Sequence, residues 1–129
     1  DYMEVFKMKM TVDAGMMKEM FVNYDRDYYS FSGLETLLDY YDEIDPEMEF
    51  DPIAICCDCT EYGENAVCSF DNLISDYEYK YPVEEYKEDN DIEENEFDET
   101  KYIAALVERL EDETTVLHVP NGNYIIFAF

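Results

Sequence analysis

The sequence lacks tryptophan and contains only four glycines, four prolines and one histidine. So few glycines argue against a phosphate-cradling loop, and none of the nucleotide-binding or hydrolase motifs is present. No stretch approaches the roughly 18 consecutive apolar residues of a membrane span. No basic segment followed by an apolar run marks a secretory signal. We therefore expect a cytoplasmic protein.

Basic residues are also scarce. Lys and Arg number 8 against 34 Asp and Glu, giving a formal net charge of −26. A small soluble domain usually carries a net charge of magnitude about 2–8, and a larger excess destabilises the compact state by self-repulsion. Yet the chain is 47% hydrophobic and includes 13 Tyr and 8 Phe, unlike a disordered acidic tail. The acidity therefore indicates a function outside the fold.

Apolar residues at helical spacing predict several helices. One covers residues 14–24 behind the N-cap Asp13, and another covers 31–43, opened by the capping-box sequence Ser32-Gly33-Leu34-Glu35. Two more begin behind Ser69 and Asp98. Pro82 interrupts the helix that follows Ser69.

Strands are predicted at four places. Residues 4–12 alternate as a half-buried strand does, and the apolar run 53–57 is typical of a strand covered on both faces. Residues 115–119 and 124–129 flank an Asn-Gly pair, which predicts a hairpin with a type I′ turn. The order of elements predicts one α+β domain over residues 1–129: a three- to four-stranded, mostly antiparallel sheet with a C-terminal β-hairpin and helices packed on a face.

Four cysteines, Cys56, Cys57, Cys59 and Cys68, lie within thirteen residues. A structural zinc site usually needs paired C-x₂₋₄-C knuckles in turns. On the predicted strand Cys57 and Cys59 would share a face and Cys56 would point away, so the thiols would converge poorly on a metal. We expect reduced, mostly buried thiols, with no metal and no cofactor.

Catalytic and calcium sites are not indicated. His118 is near the end of a predicted strand, and nothing in the sequence orients it toward a nucleophile. The segment starting at Asp89 begins like an EF-hand loop, but Glu94 stands where glycine is needed and Thr100 where a bidentate Glu is needed. We expect no enzymatic activity.

The carboxylates themselves form the candidate site. In the helix over 31–43, acids recur at i, i+4, i+7 and i+8 with no base among them, an arrangement that costs about 0.2–0.5 kcal/mol per pair. Residues 84–99, a helix edge or an ordered loop, hold ten acids and one base. The predicted partner-binding residues are Glu84, Glu85, Glu88, Asp89, Asp91, Glu93, Glu94 and Glu96, followed by Asp39, Asp42, Glu43, Asp45, Glu47 and Glu49.

Rows of carboxylates can imitate nucleic acid. Duplex DNA carries one negative charge per about 1.7 Å of axis, and carboxylates one helical turn apart lie about 5–6 Å from each other. An ordinary solvated face mixes both signs of charge. Adaptation to high salt also adds acids, but the abundance of Met, Tyr, Phe and Ile argues against it. Tyrosines beside the acids could stack on a partner's arginines.

Several stretches carry a resemblance to a known kind of protein: Ser30 to Glu35, Leu37 to Tyr41, Phe50 to Cys57, Thr60 to Tyr62 and Asn121 to Ile126. They resemble small acidic proteins encoded on phages and mobile elements of Gram-positive bacteria. In composition the chain is similar to DNA-mimicking anti-CRISPR and antirestriction inhibitors. The resemblance implies occlusion of a nuclease's DNA-binding or PAM-reading groove inside a bacterial host cell, without catalysis.

Three hypotheses follow. The first is an inhibitor of a bacterial defence nuclease, foremost a CRISPR effector of the Cas9 type, which competes with DNA without binding nucleic acid or membrane itself. The second is an acidic interaction module for another basic partner, such as a transcription or nucleoid protein. The third is a metal or redox protein that uses the cysteines.

Overall fold

The structure, a computed structural model, describes residues 13–44, 52–64 and 66–129. The described residues form an α+β fold, as predicted. The helices are α1 (Ala14–Asn23), α2 (Phe31–Ile44), α3 (Pro52–Asp58), α4 (Phe70–Tyr77), α5 (Val83–Asn90) and α6 (Glu99–Glu111), with 3₁₀ turns at Glu78–Lys80 and Glu94–Glu96; the strands are β1 (Cys59–Tyr62), β2 (Val116–His118) and β3 (Tyr124–Phe127). Among them, no helix combines the length and apolarity needed to cross a bilayer. The strand predicted over 4–12 lies outside the described residues.

The three strands form an antiparallel sheet in the order β1-β3-β2, so β3 is central. Cys59 is opposite Phe127 and Tyr62 is opposite Tyr124 across the β1–β3 pair. β2 and β3 form the predicted C-terminal hairpin, with Val116 opposite Ile126.

The hairpin turn is not the predicted type I′ turn. The N–H of Gly122 donates to the carbonyl of Val119 at 2.9 Å, which places Pro120 and Asn121 at the centre of the turn. Gly122 follows with φ +97°, whereas a type I′ turn needs positive φ at both central residues. A turn centred on Asn121 and Gly122 would also require an N–H that Pro120 lacks. The hydrogen bond that closes the turn therefore joins Val119 and Gly122.

The strand predicted over residues 53–57 is also wrong. Pro52–Asp58 is helix α3, and the strand begins only at Cys59. Proline is well tolerated in the first turn of a helix, and a short apolar run cannot be assigned to helix or strand by periodicity. Cys57 and Cys59 consequently lie on different elements and share no strand face.

The N-caps of three helices are confirmed. The side chains of Asp13, Ser69 and Asp98 each accept a hydrogen bond from a backbone N–H in the first turn of α1, α4 and α6. The capping box assigned to Ser32 is wrong, because α2 begins one residue before it. Ser30 takes the cap position, and its Oγ accepts the N–H three residues later at 2.9 Å.

Helices cover both faces of the sheet, rather than the single face that the sequence indicated. Ile125 of β3 faces a core built with α1, α2 and α3, which we call the first layer. Ile126, its neighbour, faces a core built with α4, α5 and α6, the second layer. The largest fully buried side chains are Met17, Phe21, Leu34, Leu37 and Ile55 in the first layer, and Leu73, Tyr102, Leu106 and Leu110 in the second.

Candidate functional site

The acidic segment from Glu84 to Glu96 is part helix and part turn. Pro82 precedes α5, which continues to Asn90 and ends at Asp91 in the left-handed conformation, φ 53°. Aspartate is one of the few residues besides glycine that adopt this conformation at low cost. The 3₁₀ turn Glu94–Glu96 is the next element, so regular structure covers most of the segment.

One aromatic residue fixes α5 to the second layer. Tyr86 is buried, and its ring centroid lies 5.3 Å from that of Tyr102, 5.8 Å from that of Tyr81 and 6.2 Å from that of Phe97. Edge-to-face aromatic pairs at these distances contribute about 0.5–1.5 kcal/mol each beyond their buried area. All eight predicted carboxylates of the segment are exposed: Glu84, Glu85, Glu88, Asp89, Asp91, Glu93, Glu94 and Glu96.

Among the residues that the structure describes, two cations contact these acids, and Lys87 is one of them. Its ammonium lies 3.7 Å from the carboxylate of Glu84 and also pairs with Glu94. The hydrogen bond to Glu94 raises the pKa of Lys87, so this lysine stays charged. The second cation, Arg109 of α6, lies 3.7 Å from Glu85 and 3.8 Å from Asp89.

Four carboxylates of the segment contact no cation among the described residues. Glu93 and Glu96 cap the 3₁₀ turn reciprocally, whereas the side chains of Glu88 and Asp91 make no hydrogen bond or ion pair with any other residue that the structure describes. Glu88 and Asp91 line a groove of about 360 Å³ beside Lys87. The segment therefore presents eight carboxylates to two cations, with its most available charges at the end of α5.

The second predicted set of acids lies elsewhere. Asp39 and Glu43 are exposed on α2, and Asp42 is half-buried there. Since α2 belongs to the first layer and α5 to the second, the sheet separates these acids from those of residues 84–96. The remaining three, Asp45, Glu47 and Glu49, lie outside the described residues.

Sequence reasoning missed a buried carboxylate. Glu61 of β1 is 1% exposed. It accepts hydrogen bonds from the N–H of Ser30 at 2.8 Å, from the Ser30 hydroxyl at 2.6 Å and from the Asn123 amide at 2.7 Å. These bonds join β1, the start of α2 and the hairpin loop. A carboxylate at a helix N-terminus is also favoured by the helix dipole.

A glycine makes room for that carboxylate. A Cβ built on Gly33, in the first turn of α2, would lie 2.0 Å from a carboxylate oxygen of Glu61. No local pattern could have revealed the arrangement, because Glu61 meets partners 31 and 62 residues away in the sequence. The hydrogen bonds of Glu61 therefore hold β1, the start of α2 and the hairpin loop together.

Three of the four cysteines share one cavity. Cys56, Cys59 and Cys68 line an apolar cavity of about 250 Å³. Burial raises the pKa of all three thiols, that of Cys59 to about 12, so they stay protonated at neutral pH. Cys57 is exposed instead. In the part of the chain that the structure covers, no cluster of three His, Cys, Asp or Glu side chains could hold a metal ion.

Thiol labelling tests this description. With an aromatic disulfide reagent at neutral pH, we expect one fast phase from Cys57, which is exposed, and slow reaction of the other thiols, because burial raises their pKa and only a thiolate attacks. The substitution Cys57→Ser should remove the fast phase, and Cys68→Ser should leave it unchanged. A fast phase that survives Cys57→Ser would contradict the burial of the remaining thiols.

No protein-family model, no curated protein and no solved structure matches this chain.

Proposed function

We propose that the protein inhibits a nucleic-acid-binding nuclease by occupying its cationic DNA cleft. The first candidate target is a CRISPR effector of the Cas9 type. The observation that carries this proposal is the acidic segment 84–96. It presents eight exposed carboxylates on α5 and the turns after it, of which four pair with two described cations, and the buried Tyr86 fixes α5 to the second layer. A surface kept this acidic at a cost to folding suits a partner with the opposite charge.

The spacing of the carboxylates supports mimicry of a phosphate strand. Glu84, Glu88 and Asp91 recur at i, i+4 and i+7 and span about 10 Å of helix axis. One DNA strand carries a charge every about 3.4 Å, which places about four charges over the same length. A cleft lined with lysine and arginine would therefore meet a similar density of negative charge, and binding would release counterions as DNA binding does.

The test uses two matched double variants. Glu88→Lys with Asp91→Asn changes the two carboxylates at the end of α5 whose side chains have no partner among the described residues, and asparagine tolerates the left-handed conformation of Asp91. The control, Glu19→Lys with Asp25→Asn, makes the same charge change on α1 in the first layer. It too combines an exposed helical glutamate with a left-handed aspartate, φ 59° at Asp25.

The measurement is DNA cleavage by a guide-loaded Cas9-type nuclease, titrated with each protein. We expect the half-inhibitory concentration to rise about tenfold or more for the α5 variant and to stay near the unsubstituted value for the control. Inhibition should also weaken steeply when salt is raised from about 50 to about 200 mM.

Equal inhibition by both variants, or a complex insensitive to salt, would overturn the role of the acidic segment. An unsubstituted protein that leaves the nuclease active would remove this target. Capture of a transcription or nucleoid protein through Glu88 and Asp91 would then favour the second hypothesis.

A further inference from the structure

An exposed aromatic patch lies beside the acidic segment. The ammonium of Lys80 sits 5.4 Å from the ring centroids of both Tyr79 and Phe129, and it pairs with Glu113 at 2.7 Å. Tyr77 stacks on Phe129 with centroids 5.9 Å apart and ring planes 16° from parallel. We call these five residues the aromatic seat.

The second layer holds other cations in the same way. Arg109 lies 3.8 Å from the ring centroid of Tyr81 while two carboxylates flank it. Lys87 lies 5.2 Å from the ring centroid of Phe97, also between two carboxylates. A ring combined with carboxylates is thus this protein's repeated means of binding a cation.

The aromatic seat differs from these two sites in its exposure. Tyr81 is buried and Phe97 is half-buried, so their rings pack in the second layer. Tyr79 is 69% exposed and Phe129 is 53% exposed. These exposed fractions remain with Lys80 in place over both rings, so each side chain offers surface to a second cation from outside the molecule.

The negative charge around the aromatic seat favours a cationic ligand. The exposed carboxylate of Glu78 adjoins Tyr79 in the chain, and Glu113 lies beside Lys80. On a protein with a net charge of −26, an anionic partner is repelled and a cationic one is attracted. A planar guanidinium stacks on aromatic rings and binds carboxylates in a bidentate manner, whereas an ammonium is a strongly hydrated point charge.

We propose that the aromatic seat binds arginine side chains of the basic partner. This inference rests on the proposed function, because the partner is the one that the acidic segment attracts. The two surfaces are neighbours: Glu113 follows Arg109 by four residues, and Arg109 contacts Glu85 and Asp89 of α5. The partner is thereby specified as a surface rich in arginine, with stacking added to charge attraction.

The test compares oligoarginine with oligolysine of equal length, titrated at one ionic strength and followed by fluorescence anisotropy. We expect the unsubstituted protein to bind oligoarginine about threefold or more tightly than oligolysine, the range given by exposed cation–π contacts. Tyr79→Ala with Phe129→Ala should remove this preference and leave the affinity for oligolysine unchanged. Tyr79→Leu with Phe129→Leu keeps the apolar surface without the rings and should have the same effect.

Tyr28→Ala with Phe31→Ala is the matched control, because this Tyr and Phe are 43% and 51% exposed in the first layer. It should keep the full preference for oligoarginine. The α5 variant, Glu88→Lys with Asp91→Asn, should weaken both peptides by the same factor. No preference in the unsubstituted protein, or a preference that survives in both Tyr79 and Phe129 variants, would overturn the aromatic seat.

The two proposals fail separately. A lost arginine preference in a protein that still inhibits the nuclease would remove the aromatic seat alone. An arginine preference in a protein that does not inhibit the nuclease would remove that target and leave the seat standing.

Discussion

Glu61→Ala is expected to lower the free energy of unfolding by about 2–4 kcal/mol, because a buried donor left without an acceptor costs about 1–3 kcal/mol. The N–H and hydroxyl of Ser30 and the amide of Asn123 would lose their shared acceptor, which is itself 1% exposed. A domain of this size has about 5–15 kcal/mol of stability in total, so the loss would leave it marginal. Urea unfolding followed by circular dichroism measures the change.

Two variants serve as controls for Glu61→Ala. Glu64→Ala removes an exposed carboxylate just after β1 and should change stability by less than about 0.5 kcal/mol. Glu61→Gln keeps the shape and one oxygen acceptor but turns an NH₂ group toward hydrogen-bond donors, so its stability should fall between the two. Equal stability of Glu61→Ala and Glu64→Ala would show that the buried hydrogen bonds contribute nothing.

Gly33→Ala is expected to destabilise the protein by about 2–4 kcal/mol, although alanine is normally the better helix former by about 1 kcal/mol. The new Cβ would lie 2.0 Å from a carboxylate oxygen of Glu61. That carboxylate is the end of a flexible side chain, yet it cannot move without breaking its hydrogen bonds to Ser30 and Asn123. The cost of the substitution is therefore the cost of disrupting the network.

Gly15→Ala is the matched control, because the nearest atom to its added Cβ is 3.4 Å away and the site is also in the first turns of a helix. It should be neutral or stabilising by up to about 1 kcal/mol. In a Glu61→Ala background, Gly33→Ala should lose most of its effect, since the clash is gone. Additive effects of Gly33→Ala and Glu61→Ala in a double-mutant cycle would refute the proposed contact.

Local chemistry explains which parts of the fold were predictable. Asp13, Ser69 and Asp98 signal helix starts through side chains that satisfy nearby N–H groups, and the structure confirms each one. The run 53–57 carries no such signal, and its helical state depends on how the apolar residues pack in the first layer. The role of Glu61 was unpredictable for the same reason, because its partners are distant in the sequence.

The acidic segment was predictable in position but not in detail. Exposure of its eight carboxylates follows from their number and density, which a core could not accommodate. The pairing of Arg109 with Glu85 and Asp89 depends on the packing of α6 against α5, and the sequence does not encode that packing locally. The separation of Asp39 and Glu43 from this segment likewise depends on the sheet between the layers.

The central position of β3 has a consequence during synthesis. Two adjacent residues of β3, Ile125 and Ile126, each complete the core of a different layer. The pairing of β3 with Cys59–Tyr62 closes a loop of more than sixty residues. Neither core can be finished until residues 124–127 have left the ribosome. Until then the nascent chain exposes two incomplete apolar surfaces, and the shared negative charge of neighbouring nascent chains opposes their association.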